Sequence, residues 1–387
     1  MRVQAVWSDR GGRVRRVLTG LLVIGAGLLV WGMPLAAQAP TIPERLGDRE
    51  FWALSEQMSE PSGYFGSENL VSNERTYQYV VPALLKDVRP GGVYLGVAPD
   101  QNFTYILATR PRIAFILDIR RGNLLQHLMY KALIELSPDR ATFVSRLFSK
   151  PRPAGLDGSA TPRQMAEAFR KSATSESFYR ANLRAIRDRL LVHHRFPLSA
   201  DDLEQLESIY FAFFWDGPGL RYSNTQGGVG RGGANFPTWE DLVLQTDSTG
   251  VPRGYLASEA QFQALKRMEE RNLIVPVVGN FAGPKALRSV ARYIRARRGA
   301  VTAFYVSNVE QYLFQDGVFE AFARNVSALP ADPTGVFIRS VSIRYGYRGD
   351  GLGFDGRASA LQSIPAFVRD FEVGGIVTYA DVNSRSQ

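Results

Sequence analysis

After the punctuating sequence "RPGG" (89–92), short apolar runs alternate with segments of helical period. "VYLGVAP" suits a buried strand and "DQNFTYILATR" suits a helix, and "RIAFILDI" is a second strand before a helix over 123–136. Two parallel strands need a crossover connection between them, most commonly a helix. The sequence therefore predicts an α/β fold in which parallel strands are covered by helices.

The same alternation resumes after residue 258. Three further strands are predicted, "LIVPVVGNF", "AVTAFYVSNV" and "VFIRSVSI", with helices over 284–297 and 318–329 between them. "GGIVTYADV" is predicted as a final edge strand. In the intervening region helical segments predominate, and 216–237 contains seven glycines without an apolar period, which predicts a long mobile loop.

The predicted organisation has five parts. They are a signal peptide or membrane anchor over 1–39, a mostly helical lead-in over 40–92, the two halves of the α/β domain over 93–136 and 258–387, and a helical insertion or cap over 137–257.

The N-terminal segment has the features of an export signal. A basic stretch precedes the apolar run from Val17 to Trp31, and "PLAAQA" offers small residues for cleavage, which we expect after Ala37. An uncleaved inner-membrane anchor is the alternative, and either outcome places the rest of the chain in the periplasm. Translation from Met33 would instead leave a cytoplasmic protein. Contact with a membrane is expected through this segment only.

Composition excludes several chemistries. The chain has no cysteine and three histidines, two of them adjacent, so we expect neither a thiol nucleophile nor a metal site. The net charge is +9, but residues 1–39 contribute +4 of it and the other basic residues are scattered. Nucleic-acid binding is therefore not expected.

Asp118 ends the second predicted strand, at the edge where α/β folds bind ligands. It lies 22 residues after Gly96, a spacing typical of nucleotide-binding turns, although Ala98 and Asp100 stand where that motif has glycines. Asp118 either contacts a ligand or pairs with Arg120 or Arg121 to orient the loop.

Other polar residues have two interpretations each. Asn123 and His127, with Tyr130 and Lys131, form a row on one flank of the next helix that faces either a ligand or water. Glu74, beside Asn73 in "SENLVSNERTYQ", is either a lid residue or part of a helix cap. "VPVVGNFAGPKAL" is too short for a phosphate-binding P-loop and lacks its Ser or Thr, but the following helix N-terminus and Lys285 could hold an anion.

The segment "AFYVSNVEQYL" breaks an apolar strand with Tyr305, Ser307, Asn308 and Glu310. Glu310 is either a general base or a helix N-terminal carboxylate stabilised by the helix dipole. No Gly-x-Ser-x-Gly nucleophile turn occurs, which disfavours a serine hydrolase.

These segments resemble the class I S-adenosylmethionine-dependent methyltransferases. More narrowly, the chain resembles an uncharacterised bacterial family with "YLGV-P-QNFTYI", "AFI-DIRR-NL-HLMYKAL", "VPVVG-FAGPKAL" and "FYVSNVE-YL", over Phe65–Ser340. The resemblance implies a Rossmann-like, methyltransferase-like fold: a mostly parallel sheet with helices on both faces and a helical insertion.

The resemblance also implies roles for individual residues. The cofactor would be S-adenosylmethionine, with no metal. Its amino-acid part would fall to Gly96, Asp100 and Gln101, its ribose to Asp118, and its adenine to Asn280 and Phe281. Ser307, Asn308 and Glu310 would face the acceptor, and Glu74, Arg120, Arg121, Asn123, His127 and Tyr305 are further candidates for the pocket.

Two functions follow as hypotheses. The first is methylation of a small molecule or protein side chain, a reaction that needs positioning and a dry pocket more than catalytic groups. The second is an exported, non-catalytic binding or scaffold protein, which the export signal favours because S-adenosylmethionine has no obvious supply outside the cytoplasm. Hydrolysis beneath the cap is a third alternative. The acceptor is not identified by the sequence.

Overall fold

The computed structural model describes residues 41–222 and 236–387. The expected leader over 1–39 and the interior of the predicted glycine-rich loop lie outside the described residues. Thr41–Gln387 forms one unit with one principal hydrophobic core. In the described ranges, no helix combines the length and apolarity that crossing a bilayer requires.

Six strands form one sheet, in the order β3-β2-β1-β4-β5-β6. The strands are β1 (Val93–Gly96), β2 (Ile113–Asp118), β3 (Ile274–Val278), β4 (Val301–Ser307), β5 (Ala331–Ser342) and β6 (Arg357–Ser363). The first five run parallel and β6 is antiparallel to β5. Every residue of β1, β2 and β3 is buried, and since successive side chains point to opposite faces, both faces of this part are covered.

The described ranges contain fifteen α-helices, numbered here in chain order. They are α1 (Asp48–Met58), α2 (Val81–Asp87), α3 (Gln101–Thr109), α4 (Arg121–Glu135), α5 (Arg140–Leu147), α6 (Pro162–Lys171), α7 (Glu176–Asp188), α8 (Ala200–Asp216), α9 (Trp239–Val243), α10 (Glu259–Glu270), α11 (Ala286–Ala296), α12 (Val309–Gln315), α13 (Phe319–Ser327), α14 (Ile364–Glu372) and α15 (Tyr379–Ser384). A π-helical turn, Arg189–His193, continues α7.

The strand order locates a topological switch point. From β1 the sheet grows through β2 to β3 on one side, and the chain then crosses to β4 and β5 on the other. The connections after β1 and β4 therefore diverge, and a crevice opens outside their carboxyl ends, where open α/β sheets bind ligands. This mostly parallel α/β sheet is consistent with the predicted Rossmann-like fold.

In its described residues, 137–222 and 236–257, the insertion contributes helices α5 to α9 and no strand of the sheet. Each of these five helices begins at a side-chain cap that accepts a hydrogen bond from its first turn, from Asp139, Thr161, Ser175, Ser199 and Thr238. Helix α4 packs against β2 and β3 and also against α8, and all its residues from Asn123 to Ile134 are buried. The insertion is thus continuous with the core through α4.

Two sequence predictions about elements are wrong, and one of the two interpretations of a helix face is excluded. The segment "GGIVTYADV" is not an edge strand, because Thr378 and Asp381 form a capping box that starts α15, and β6 is the edge strand instead. The lead-in is only partly helical, since 59–75 has no helix. The polar row on α4 does not face water, because Asn123 and His127 are buried.

Candidate functional site

A cavity of about 180 Å³ lies at the carboxyl ends of four neighbouring strands. The cavity is lined by residues at or just after the ends of β1, β2, β3 and β4: Val97, Ala98 and Pro99; Asp118 and Ile119; Gly279, Asn280 and Phe281; Ser307, Asn308 and Val309. Parallel strands place their carboxyl ends at one edge, so four segments distant in sequence meet here. The predicted residues Asp118, Asn280, Phe281, Ser307, Asn308 and Tyr305 are thereby brought together.

The lead-in and two later segments supply the rest of the cavity wall. These residues are Tyr64, Phe65, Asn69, Ser72, Asn73 and Glu74 from the lead-in, Tyr222 from the base of the glycine-rich segment, and Tyr312, Leu313 and Asp316 from α12 and its end. Phe65 and Tyr312 pack edge to face with ring centroids 5.2 Å apart. Tyr222 pairs with Phe236 at 5.1 Å, so the two ends of the glycine-rich segment meet beside the cavity.

Glu74 is a buried carboxylate in the cavity wall, and its side chain accepts three hydrogen bonds. Tyr305 Oη donates to Oε1 at 2.7 Å and Ser307 Oγ donates to the same oxygen at 2.6 Å, while Gln101 Nε2 donates to Oε2 at 2.9 Å. Glu74 is 4% exposed, and in the described part of the chain no Lys, Arg or His pairs with it. Burial and the charge of Glu74 raise the pKa of Tyr305, so this phenol remains a donor.

The cavity is acidic and aromatic in composition. Its described lining contains three carboxylates and no lysine, arginine or histidine. Six aromatic rings face it: Tyr64, Phe65, Tyr222, Phe281, Tyr305 and Tyr312. An aromatic face attracts a cation through its quadrupole, and an unpaired buried carboxylate is costly until a cation compensates it. The lining therefore suits a cationic ligand and disfavours a phosphate-rich one.

Asp118 lines the cavity and also pairs with Arg120. Its Oδ1 accepts from the backbone N–H and Nε of Arg120, at 2.9 and 3.0 Å, and its Oδ2 accepts from Nη2 at 2.9 Å. A carboxylate has about four acceptor sites, so about one remains open. Arg121 turns away to Asp202 on α8, with Nη2 2.9 Å from Oδ2, and does not line the cavity.

The turn after β1 holds a left-handed backbone without glycine. Ala98 has φ +67°, and Ser307 at the end of β4 has φ +52°, so two non-glycine residues in this strained region line one cavity. The side-chain amide of Asn102 donates to the carbonyls of Val97 (2.7 Å), Ala98 (3.1 Å) and Pro99 (2.7 Å). Gly96 does not reach the cavity, and a side chain there would collide with Asn102.

His127 also forms a hydrogen bond to the turn after β1. Burial lowers its pKa to about 4, so the ring is neutral and Nε2 donates to the Ala98 carbonyl at 2.9 Å. Asn123, one helical turn earlier, is 1% exposed, and neither atom of its amide has a hydrogen-bond partner among the described residues. Neither residue lines the cavity, so their predicted place in it is corrected.

The helix N-terminus after β3 is filled by a side chain of the protein itself. Glu60 accepts hydrogen bonds from the backbone N–H groups of Asn280 (3.0 Å), Lys285 (2.8 Å) and Ala286 (2.8 Å). The ammonium group of Lys285 donates to the carbonyl of Ser59. The predicted anion site on this helix is therefore occupied by an internal carboxylate.

Glu310 lies outside the cavity lining, contrary to its predicted position facing an acceptor. It is fully buried and binds Arg339 of β5 through two bonds, of which Nη2 to Oε1 is 2.9 Å. Asp100 is also outside the lining, because it points to Tyr255, whose Oη donates to it at 2.8 Å. Gln101 is absent from the lining too, but it contacts Glu74 directly.

Sequence reasoning missed much of the aromatic wall. Tyr64 is 78% exposed and lies beside Phe65 in "PSGYFGS". The available signal was a pair of aromatic residues between glycines, in a segment without a helical period. Tyr312 lies on α12, one helical turn after Asn308. A prediction based on the ends of strands does not reach this position. In the described ranges, no group of three or more His, Asp or Glu residues is placed to hold a metal ion.

Residues 69–205 and 235–361 match the family described as a domain of unknown function (DUF7790). The chain belongs to this family. The two DUF7790 segments include β1 to β5 and most of β6. They also include the cavity residues except Tyr64, Phe65 and Tyr222. The gap between them, 206–234, contains all seven glycines of the glycine-rich segment. Comparison with curated proteins finds no match.

Proposed function

We propose that the cavity binds a cationic small molecule with an aromatic ring, and that this ligand is S-adenosylmethionine. The observation that carries the proposal is Glu74, a buried carboxylate held by three neutral donors and without a basic partner in the described chain. Such a group is stabilised when a cation enters, because a buried charge without compensation costs several kcal/mol (about 3–5). The sulfonium and ammonium groups of S-adenosylmethionine supply that charge.

The lining fits this ligand at two further points. Phe281 and Tyr312 supply aromatic rings to the lining, beside which an adenine ring would pack, and the open acceptor site of Asp118 suits a ribose hydroxyl. The turn after β1 fits less well, since Asn102 already occupies the carbonyls of Val97, Ala98 and Pro99. The expected roles of Gly96 and Asp100 as direct ligands are therefore not part of the proposal, whereas Gln101 acts through Glu74.

When bound, S-adenosylmethionine supplies an electrophilic methyl group. The chain would contribute binding and orientation: Glu74 attracts the positive charge, and Tyr305 and Ser307 fix the orientation of its carboxylate. Asn308 and Ser307 line the β4 side of the cavity, where an acceptor would have to approach. Where a bound ligand is covered by the aromatic rings, water would be displaced, and this would strengthen its electrostatic contacts.

A non-catalytic binding protein is the second candidate. The arrangement around Asp118 favours it, because Arg120 takes three of the acceptor sites that a tightly bound ribose would use. The burial of Glu310 also removes the predicted general base from the cavity.

Titration calorimetry on the purified full chain tests the ligand. We expect S-adenosylmethionine to bind, and its neutral thioether product, S-adenosylhomocysteine, to bind more weakly because it lacks the sulfonium charge. Glu74→Gln keeps the size of the side chain and removes its charge, and should weaken S-adenosylmethionine binding by about tenfold to a hundredfold, with a smaller effect on the thioether.

Asp316→Asn is the matched control, since Asp316 is an exposed carboxylate at the same cavity and its charge is screened by water. This variant should change the affinity by less than about threefold. Absence of heat with either ligand would overturn the cofactor assignment. Binding without methylation of any offered acceptor would favour the second candidate.

A further inference from the structure

A second and larger depression lies at the opposite edge of the sheet. This groove, of about 750 Å³, runs between α3 and α10. Arg112 immediately precedes β2 and Leu273 immediately precedes β3, so the groove lies at the amino ends of these strands, away from the cavity. Its floor is apolar, formed by Val81, Leu85, Leu107, Ala264 and Met268. Leu85 is 39% exposed, which leaves part of this floor open to solvent.

Four arginines surround the apolar floor. Arg110, Arg112, Arg267 and Arg271 are exposed, line the groove, and have no ion pair in the described part of the chain. A fifth, Arg253, is already paired with Asp247 at 2.9 Å. Glu44 is the single carboxylate among the described lining residues. The groove therefore carries an excess of positive charge over a hydrophobic base.

Helix dipoles account for only part of this arrangement. Arg110 and Arg271 cap the C-terminal ends of α3 and α10, where a cation is favourable. Arg112 is at neither helix end, and the dipoles do not explain why an open apolar floor lies between the guanidinium groups. Guanidinium groups bind phosphate with two parallel hydrogen bonds, and an apolar floor binds hydrocarbon. A ligand that satisfies both is an anionic amphiphile.

The chain enters the described fold beside this groove. Pro43 and Glu44 line it, and residues 1–40 precede Thr41, with nine residues (32–40) between the end of the apolar run Val17–Trp31 and Thr41. A fully extended linker of that length spans at most about 35 Å. If the apolar run remains in a membrane, the groove stays within that distance of the lipid surface. If the run is cleaved, the groove itself can supply the attachment.

We propose that the arginine groove binds anionic phospholipid at a membrane surface, with the phosphate on the arginines and the lipid's apolar part on the floor. Contact with a membrane is then not confined to the N-terminal segment. Each arginine near an anionic surface contributes to the partition coefficient, and the contribution falls off within a Debye length.

Vesicle sedimentation with the full chain tests this proposal. Binding is compared between vesicles of phosphatidylglycerol mixed with phosphatidylcholine and vesicles of phosphatidylcholine alone, because the N-terminal apolar run should bind both. The wild type should prefer the anionic vesicles. Arg112→Gln combined with Arg271→Gln should reduce this preference by about tenfold to thirtyfold. Arg112→Lys with Arg271→Lys keeps the charge and should retain most of the preference.

The matched control is Arg163→Gln with Arg184→Gln, which removes the same charge from exposed positions in the insertion that do not line the groove. Its preference should stay within about twofold of the wild type. Equal losses in the two double variants would overturn the proposal, as would a wild type without preference. Inorganic phosphate at constant ionic strength should not displace the protein from the vesicles. Displacement would assign the groove to a soluble anion.

Discussion

Asp100 is a buried carboxyl group whose ionisation opposes folding. It is 6% exposed, and burial raises its pKa from 3.8 to about 6. Between about pH 4 and 6 the folded chain therefore holds more protons than the unfolded chain, and the contribution of Asp100 to stability falls as pH rises. Asp100→Asn removes this loss and keeps an oxygen that can accept from Tyr255. The free energy of unfolding of the variant, relative to that of the wild type, should therefore rise by about 3 kcal/mol between about pH 4 and 6.

Urea unfolding of both proteins at the two ends of the window measures that difference. His127, whose pKa is lowered from 6.5 to about 4, makes stability rise with pH throughout this window, but it contributes equally to both proteins and cancels. If the difference in unfolding free energy between the two proteins does not change with pH, Asp100 does not hold its proton in the folded chain over this window. Affinity for S-adenosylmethionine should be unchanged, since Asp100 lies outside the cavity.

Residues at strand ends could be placed in the cavity from the sequence; Glu74 was also a pocket candidate, but its central position could not be predicted. Asp118, Asn280 and Asn308 were located because parallel strands share one carboxyl edge. Glu310 lies two positions after Asn308, and each helical residue rotates by about 100°, so its side chain turns to β5. Glu74 comes from a segment without regular structure, so its central place in the cavity depends on tertiary packing.

The ion pair of Glu310 and Arg339 joins α12 to β5, and we expect it to stabilise the fold rather than take part in chemistry. Arg339 is 1% exposed and lies over the ring of Phe337 at 4.3 Å. Glu310→Gln leaves this guanidinium without a counter-charge, which should lower the free energy of unfolding by about 3–5 kcal/mol. Chemical denaturation measures the loss, and calorimetry should show unchanged ligand affinity in the folded protein.

Glu320→Gln serves as the control because Glu320 pairs with Arg324 one turn away on an exposed face of α13. An exposed pair of this kind contributes about 0.5 kcal/mol or less. Loss of affinity in Glu310→Gln without loss of stability would contradict this structural role and would place Glu310 at the ligand site.

Strands with a continuous apolar run could be predicted, whereas elements defined by short polar signals could not. Strands β1 to β5 each contain such a run, as the sequence indicated. The edge strand β6, "RASALQS", alternates small and polar residues and has no such run. The segment before α15 is rich in residues that favour strands, but Thr378 and Asp381 cap a helix there.

At the scale of the whole molecule, α4 determines whether the insertion and the sheet unfold together. It is buried between β2 and β3 on one side and α8 on the other. Leu206 of α8 is fully buried, and Leu206→Ala should lower the free energy of unfolding by about 3 kcal/mol. If α4 couples both regions, hydrogen exchange should show this loss equally in the most protected amides of β2 and of α8.

Glu204→Ala, an exposed change on the same helix, serves as the control and should shift the opening free energy of neither region by more than about 0.5 kcal/mol. A loss confined to α8 would show instead that the insertion unfolds independently of the sheet. A ligand could then reach the cavity beside Tyr222 without any opening of the sheet.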